Sequence, residues 1–165
     1  MIFKARAMGI KADFALTNGG GIRKSIPAGD VTRMNAYEVL PFGNTLAYFE
    51  MTGEQVLELF KNVGNIALGN GGFANFSKDV RFTLDTVNKV AKDITINGQP
   101  IDPAKKYIVI TNDFIAVGGD GVFPVFGKLK FVDTYIDMLE GFIEYMKSLP
   151  QPIAPATDGR INIIK

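Results

Sequence analysis

Not one of the 165 residues is a cysteine or a histidine. A chain of this kind has no disulfide and no thiolate zinc site to staple it. It must hold together by burying apolar side chains. Its length is enough for one domain with a real core, and 47% hydrophobic against 21% charged residues is a globular balance, not a disordered one. The same two absences narrow the chemistry. They exclude cysteine nucleophiles, Ser-His-Asp catalysis and imidazole metal ligands. Carboxylates alone could bind metal, and they favour hard ions such as magnesium or calcium. Eighteen basic and 17 acidic side chains leave a net charge of +1, which is no footprint for a nucleic-acid polymer. No run of about 18 apolar residues predicts a membrane span.

Along the chain, Ile2 to Met8 reads as the tail of an amphipathic helix stopped by Gly9. "ADFALTN" (Ala12 to Asn18) reads as a buried strand that runs into Gly19, Gly20 and Gly21. "SIPAGDVT" is a turn segment, and Thr45 to Met51 alternates as a strand. Thr52 and Gln55 form a capping box for a helix whose apolar face is Val56, Leu59, Phe60 and Val63. "GNIALGNGGFANF" reads as a glycine-rich loop. Val80–Asp85 and Asp93–Ile96 are expected to pair as a hairpin. Pro100 and Pro103 argue against regular strand pairing in the lead-in to a strand at Tyr107–Asn112. A second long helix is expected from about Asp133 to about Leu149, and Gly159–Lys165 closes as a strand. Irregular alternation around a central hairpin predicts a single domain over residues 1–165, α/β with a mixed sheet of the α+β kind.

Three loops could carry chemistry. "TNGGGIR" (Thr17 to Arg23) follows a strand directly. Its glycines either make a turn or let the backbone approach a ligand, and Arg23 is either solvated or a forked cation for phosphate. The spacing is not that of a dinucleotide fingerprint. "GVFPVFGKL" (Gly121 to Leu129) fails as a phosphate loop in both glycine spacing and its final residue. "VLPFGNT" sets Phe42 between Pro41 and Gly43, with Asn44 following. "TNDFIAVGGDG" sets Phe114 six residues before Asp120, which Gly118, Gly119 and Gly121 surround. Each ring either packs on a sheet edge or stands free for stacking. Together, two loop rings, an arginine, a loop carboxylate and two asparagines outline a nucleotide site, since every base has a π-face and a carboxylate accepts from vicinal hydroxyls.

Two long stretches, "NGGGIRKSIPAGDVTRMNAYEVLPFGNTLAYFEMTGEQVLELF" and "TNDFIAVGGDGVFPVF", strongly resemble the C-terminal domain of the 5'-nucleotidase family. That family takes in UDP-sugar hydrolases, 2',3'-cyclic-nucleotide phosphodiesterases and ecto-nucleotidases. The resemblance runs from Ala12 to the terminal "GRINI". It implies a four-layer α/β/β/α substrate-binding domain with no catalytic or metal-ligating residue of its own. It implies a base sandwiched by Phe42 and Phe114, ribose on Asp120, phosphate on Arg23, and ribose or base contacts from Asn18 and Asn44. Gly19, Gly20, Gly21, Gly118 and Gly119 would let backbone approach the ligand.

The resemblance further implies a partner, an N-terminal metallophosphatase domain of the same parent chain. That domain would carry two divalent metal ions and do the hydrolysis. A chain without histidine is not expected to contain it, so this one reads as a domain of a longer phosphoesterase, inactive alone. The resemblance also implies one or more further substrate-binding arginines in a region that falls before Met1, and Arg6 sits too late on its helix to match. Periplasmic, cell-wall or extracellular placement is implied by the family alone. The rival reading is a stand-alone nucleoside- or nucleotide-binding module without catalysis.

Overall fold

The computed structural model describes all 165 residues. Two mixed sheets form its frame. The larger has β1 (Phe14–Asn18), β2 (Thr45–Thr52), β3 (Ala74–Phe76), β7 (Lys106–Asn112) and β8 (Val132–Asp137), in the order β3-β1-β7-β2-β8. The smaller has β4 (Val80–Asp85), β5 (Val90–Ile96), β6 (Gln99–Pro100) and β9 (Ile161–Ile164), in the order β6-β5-β4-β9. β1 is parallel to β7 and β4 to β9, while the other neighbours are antiparallel. Every residue of β1 is buried, as befits an inner strand covered on both faces.

One face of the large sheet contributes Phe14, Leu16, Phe49, Met51 and Val109 to the main core. They meet Val80, Phe82, Leu84 and Ile96 of the small sheet. Helix α3 (Gly53–Asn65) closes this core and touches both sheets. The Thr52–Gln55 capping box forms as expected, and Val56, Leu59, Phe60 and Val63 are all fully buried. Phe60 stacks on Phe76 with ring centroids 5.2 Å apart and meets Phe82 edge-on at 5.5 Å. Both ends of α3 press against backbone. A Cβ at Gly53 would lie 1.9 Å from the Asp102 carbonyl oxygen, and one at Gly64 would lie 2.6 Å from that of Lys89.

The opposite face of the large sheet carries Ala12, Ala15 and Ile110 beneath Ala5 of α1 (Ile2–Ala7). Helix α5 (Met138–Ser148) packs against both α1 and α2 (Arg33–Val39). The ion pairs Lys4–Glu144 and Arg33–Glu140 join these helices at the surface.

Several expectations need correction. The long helix does not start at Asp133. Val132–Asp137 is instead an edge strand on β2, held by Thr45 Oγ1 donating to Asp133 (2.8 Å) and Thr134 Oγ1 donating to the Leu46 carbonyl (2.7 Å). The helix begins at Met138, capped by Asp137, which accepts from the Leu139 and Glu140 N–H groups. The supposed loop over 64–76 contains β3, paired with β1. The hairpin forms, but its second strand starts at Val90, three residues early. Pro100 does pair, as half of a two-residue strand at the sheet edge, where a missing N–H can face solvent. Helix α2 followed from no sequence signal considered above.

Candidate functional site

Three loops converge because of strand direction. β1 and β7 run parallel and β2 runs antiparallel to β7. The C-terminal ends of β1 and β7 therefore lie at the same end of the sheet as the start of β2. These are the places from which Asn18–Arg23, Asn112–Gly121 and Phe42–Asn44 emerge.

Asn18, at the end of β1, is buried and donates from Nδ2 to Asp120 Oδ2 at 2.9 Å. Gly19–Gly21 form a single 3-10 turn. That turn is tied to the second glycine-rich loop, with Gly19 N–H donating to the Phe73 carbonyl and Gly20 N–H to that of Gly71 at 2.7 Å. A Cβ at Gly20 would stand 3.2 Å from the Gly71 oxygen, so the two loops touch through bare backbone.

Arg23 is exposed. Its guanidinium donates to the Gly20 carbonyl at 3.1 Å and lies 5.8 Å from the centroid of the Phe42 ring. That is cation–π range, contributing on the order of 0.5–1 kcal/mol at an exposed site. Arg6, by contrast, is spent on structure. It donates to the Ala12 carbonyl at 3.0 Å and pairs with Asp79 at 3.1 Å.

Phe42 is 60% exposed and Phe114 43%. Other phenylalanines of this chain stack in the core, but neither of these rings stacks on another aromatic side chain. Their bases are held firmly. Asn44 donates to Asp113 Oδ1 at 2.8 Å and the Thr45 N–H reaches the same oxygen at 3.2 Å. This fastens the Phe42 loop to the residue preceding Phe114. Phe114 itself stands in the four-residue helix α4 (Asp113–Ala116). Gly118 then takes a left-handed conformation at φ +92°, and Asp120 adopts φ +61°. That region is costly for most side chains and more tolerable for Asp and Asn. Asp120 is thus turned outward to solvent while one of its oxygens stays on Asn18.

A cleft of about 10 Å³ lies behind Phe42, lined by Thr17, Gly21, Leu40, Asn44, Asn112 and Met138 among others. It has room for about one water molecule. A larger apolar hollow of about 300 Å³ adjoins it, sharing Thr17, Leu40 and Met138.

Each residue expected from the sequence therefore lies at this end of the sheet. Asn18 meets Asp120, Arg23 meets Phe42, and Asn44 is joined to the Phe114 loop. Two residues escaped the sequence reading, Asn112 and Asp113. Asn112 caps α4 by accepting from the Ile115 N–H at 2.8 Å. An asparagine at the junction of an apolar run and a glycine loop is a recognisable capping signal. Asp113 gave no such signal, because its partners lie 68 and 69 residues away.

No group of three or more Asp, Glu, His or Cys side chains is gathered where it could hold a metal ion. The two divalent ions that the resemblance implies are expected in the N-terminal domain, and the residues of this chain offer them no site. No helix is long and apolar enough to cross a membrane.

Comparison with known proteins agrees with this fold. The family model "5'-nucleotidase, C-terminal domain" matches residues 1–128. Protein UshA of Escherichia coli K12 is 38% identical over 151 residues, covering 87% of this chain and 26% of that protein. The NAD 5'-nucleotidase of Haemophilus influenzae is 36% identical over 156 residues, covering 84% of this chain and again 26% of that protein. This chain thus spans about a quarter of the length of these relatives. The crystal structure of a 5'-nucleotidase precursor from Thermus thermophilus superposes with a TM-score of 0.87 at 35% identity. The match covers 99% of this chain and 33% of that one. The mixed α/β architecture with two mixed sheets and the family match agree: this chain belongs to the 5'-nucleotidase family and corresponds to its C-terminal domain.

Proposed function

We propose that this chain is the nucleotide-recognition domain of a 5'-nucleotidase-type phosphoesterase. Phe42 and Phe114 would hold the base between them, Asp120 would accept hydrogen bonds from the ribose diol, and Arg23 would hold phosphate. Asn18 and Asn44 would border the ribose and base. The observation that carries this reading is the pair of exposed rings, each fixed at its root by buried or half-buried polar bonds. Burial of a large ring is the cheaper state for a phenylalanine. Two rings held in solvent beside an arginine and an outward carboxylate form a surface suited to a planar, hydroxylated, anionic ligand.

Hydrolysis itself would belong to a metallophosphatase domain of the parent protein, with two divalent ions. This domain would orient the ester so that binding energy from base and ribose serves the reaction. The isolated chain would then bind nucleotides and hydrolyse nothing. Periplasmic or surface placement fits this reading, as it does the family resemblance.

Affinity of the lone chain would be weak. A stacked base contributes about 1–3 kcal/mol per aromatic contact and ordering offsets part of it. A dissociation constant on the order of 0.1–10 mM follows. Two-dimensional NMR titration with adenosine and with AMP tests this. Shifts clustered at Phe42, Phe114 and the Asp120 loop are expected. Their absence at several millimolar in a folded sample refutes the assignment. In the parent enzyme, Phe42→Ala and Phe114→Ala should each weaken turnover of nucleotides relative to a generic phosphoester. Equal effects on both substrates would remove the rings from the base site.

A further inference from the structure

Asn112, Asn18 and Asp120 form a directional relay in which each side chain sets the polarity of the next. The Oδ1 of Asn112 accepts the Ile115 N–H at 2.8 Å. Its amino group must then point the other way, and it donates to Thr17 Oγ1 at 3.0 Å and Asn18 Oδ1 at 3.3 Å. With its oxygen so occupied, Asn18 presents its own amino group to Asp120 Oδ2 at 2.9 Å. A carboxylate without a proton only accepts. The relay therefore closes in one sense, from a backbone N–H to an outward-facing acid. Asn112 is 2% exposed and Asn18 4%, so bulk water supplies neither amide with another partner. Within the chain Asp120 uses only Oδ2, which leaves Oδ1 for a ligand.

We propose that Asn112 is a positioning residue for ribose recognition. By fixing the Asn18 amide it holds the Asp120 carboxylate in the orientation that offers Oδ1 to a vicinal diol. The inference rests on the ribose role given to Asp120 above. Asn112 touches no ligand in this scheme and acts through two hydrogen bonds.

The substitution Asn112→Asp isolates the effect. Aspartate keeps an oxygen for the α4 N-terminus, where it caps as well as asparagine, but it donates nothing. Asn18 must then rotate its amino group toward the new carboxylate, which turns its oxygen on Asp120. Acceptor meets acceptor, and Asp120 is driven from its place.

The chain and its N112D variant would be titrated by NMR with adenosine and with 2',3'-dideoxyadenosine, following the Asn18 side-chain amide signals as an internal reporter. The original chain is expected to prefer adenosine by roughly tenfold, the scale of a hydrogen bond to a charged group. N112D is expected to bind dideoxyadenosine as the original does, to lose the preference, and to show displaced Asn18 amide signals. An unchanged preference in N112D overturns the proposal. So does an equal loss of both ligands, the mark of a purely structural residue. Asn112→Ala, which also removes the cap, separates that case by its lowered unfolding midpoint. If the original chain itself shows no preference, the ribose role of Asp120 is what fails. The Asn18 signals in N112D then still decide whether the relay exists.

Discussion

Gly119 lies flat against Phe114. A Cβ on Gly119 would stand 2.6 Å from two carbons of that ring and 2.4 Å from the Phe114 carbonyl oxygen. The φ of Gly119 is not in the left-handed region, so alanine suits the local backbone torsions, and the nearest atoms its Cβ would meet all belong to Phe114. Gly119→Ala is expected to displace Phe114 and weaken adenosine binding about as much as Phe114→Ala does. Crowding of this kind costs about 1–3 kcal/mol, read as a lowered urea midpoint. Binding unaltered in the folded G119A variant would show that the ring position is immaterial.

In the proposed site Arg23 would answer to phosphate and not to base. Its guanidinium is exposed, and it rests on the Phe42 face without an acidic partner. Arg23→Ala should weaken AMP by roughly tenfold, the scale of a charge-assisted hydrogen bond. It should weaken adenosine much less. Arg23→Lys should recover only part of the AMP affinity, because an ammonium lacks the planar fork. Parallel titrations of both ligands check this. Equal loss of both would mean that Arg23 serves only to brace Phe42.

Phe60 holds the two sheets together. It is fully buried, and its ring meets Phe14, Phe76 and Phe82. Phe60→Ala leaves a cavity between them and is expected to cost about 3–5 kcal/mol, measured by chemical denaturation. A loss below about 1 kcal/mol would mean that the core collapses to fill the space.

Acid should loosen the β4–β5 turn. The Asp85 carboxyl is held below the usual carboxylate range, first by the Asn88 side-chain amide at 3.0 Å, then by the Asn88 backbone N–H at 2.9 Å, and last by Lys92 at 3.4 Å. Asp158 is lowered in the same direction, chiefly by its bond from Arg160. A depressed folded-state pKa means that the unfolded chain binds the proton more readily. The stabilisation is therefore full above the unfolded value of about 3.9 and is lost as pH falls through the folded one. Urea midpoints should be flat near neutrality and fall below about pH 4. Asp85→Asn should lower the neutral midpoint and shallow the acid slope. An unaltered slope in D85N would assign the acid sensitivity elsewhere.

What the sequence disclosed was local. The α3 capping box, its apolar face and the Tyr107–Asn112 strand are each written within about a dozen consecutive residues, little more than the three turns of an ordinary helix, and each formed. The site loops were legible because glycine, proline and a stranded phenylalanine are unusual company. What stayed hidden depends on distant partners. "VDTYID" carries enough apolar periodicity with the residues after it to imitate a helix start, and only its pairing with β2 makes it a strand. Ala74–Phe76 is a strand because β1 offers it an edge. Helix α2 is short and its capping box uses asparagine at the third position, bonded back to Thr32. Asn112 and Asp113 acquire their roles only once β1, β2 and β7 lie side by side.

The clamping of α3 at Gly53 and Gly64 bears on how such a protein answers to random mutagenesis. Both positions face neighbouring backbone at distances no side chain tolerates, and backbone, unlike a flexible side chain, has little room to yield. A selection for the nucleotide recognition proposed here would thus discard variants at Gly53 and Gly64 as surely as variants at the proposed contacts Phe42 and Asp120. The resulting map of intolerant positions would superimpose two unrelated requirements, one for gripping a helix and one for gripping a ligand. Only a separate assay of folding, run on the same library, would pull the two apart.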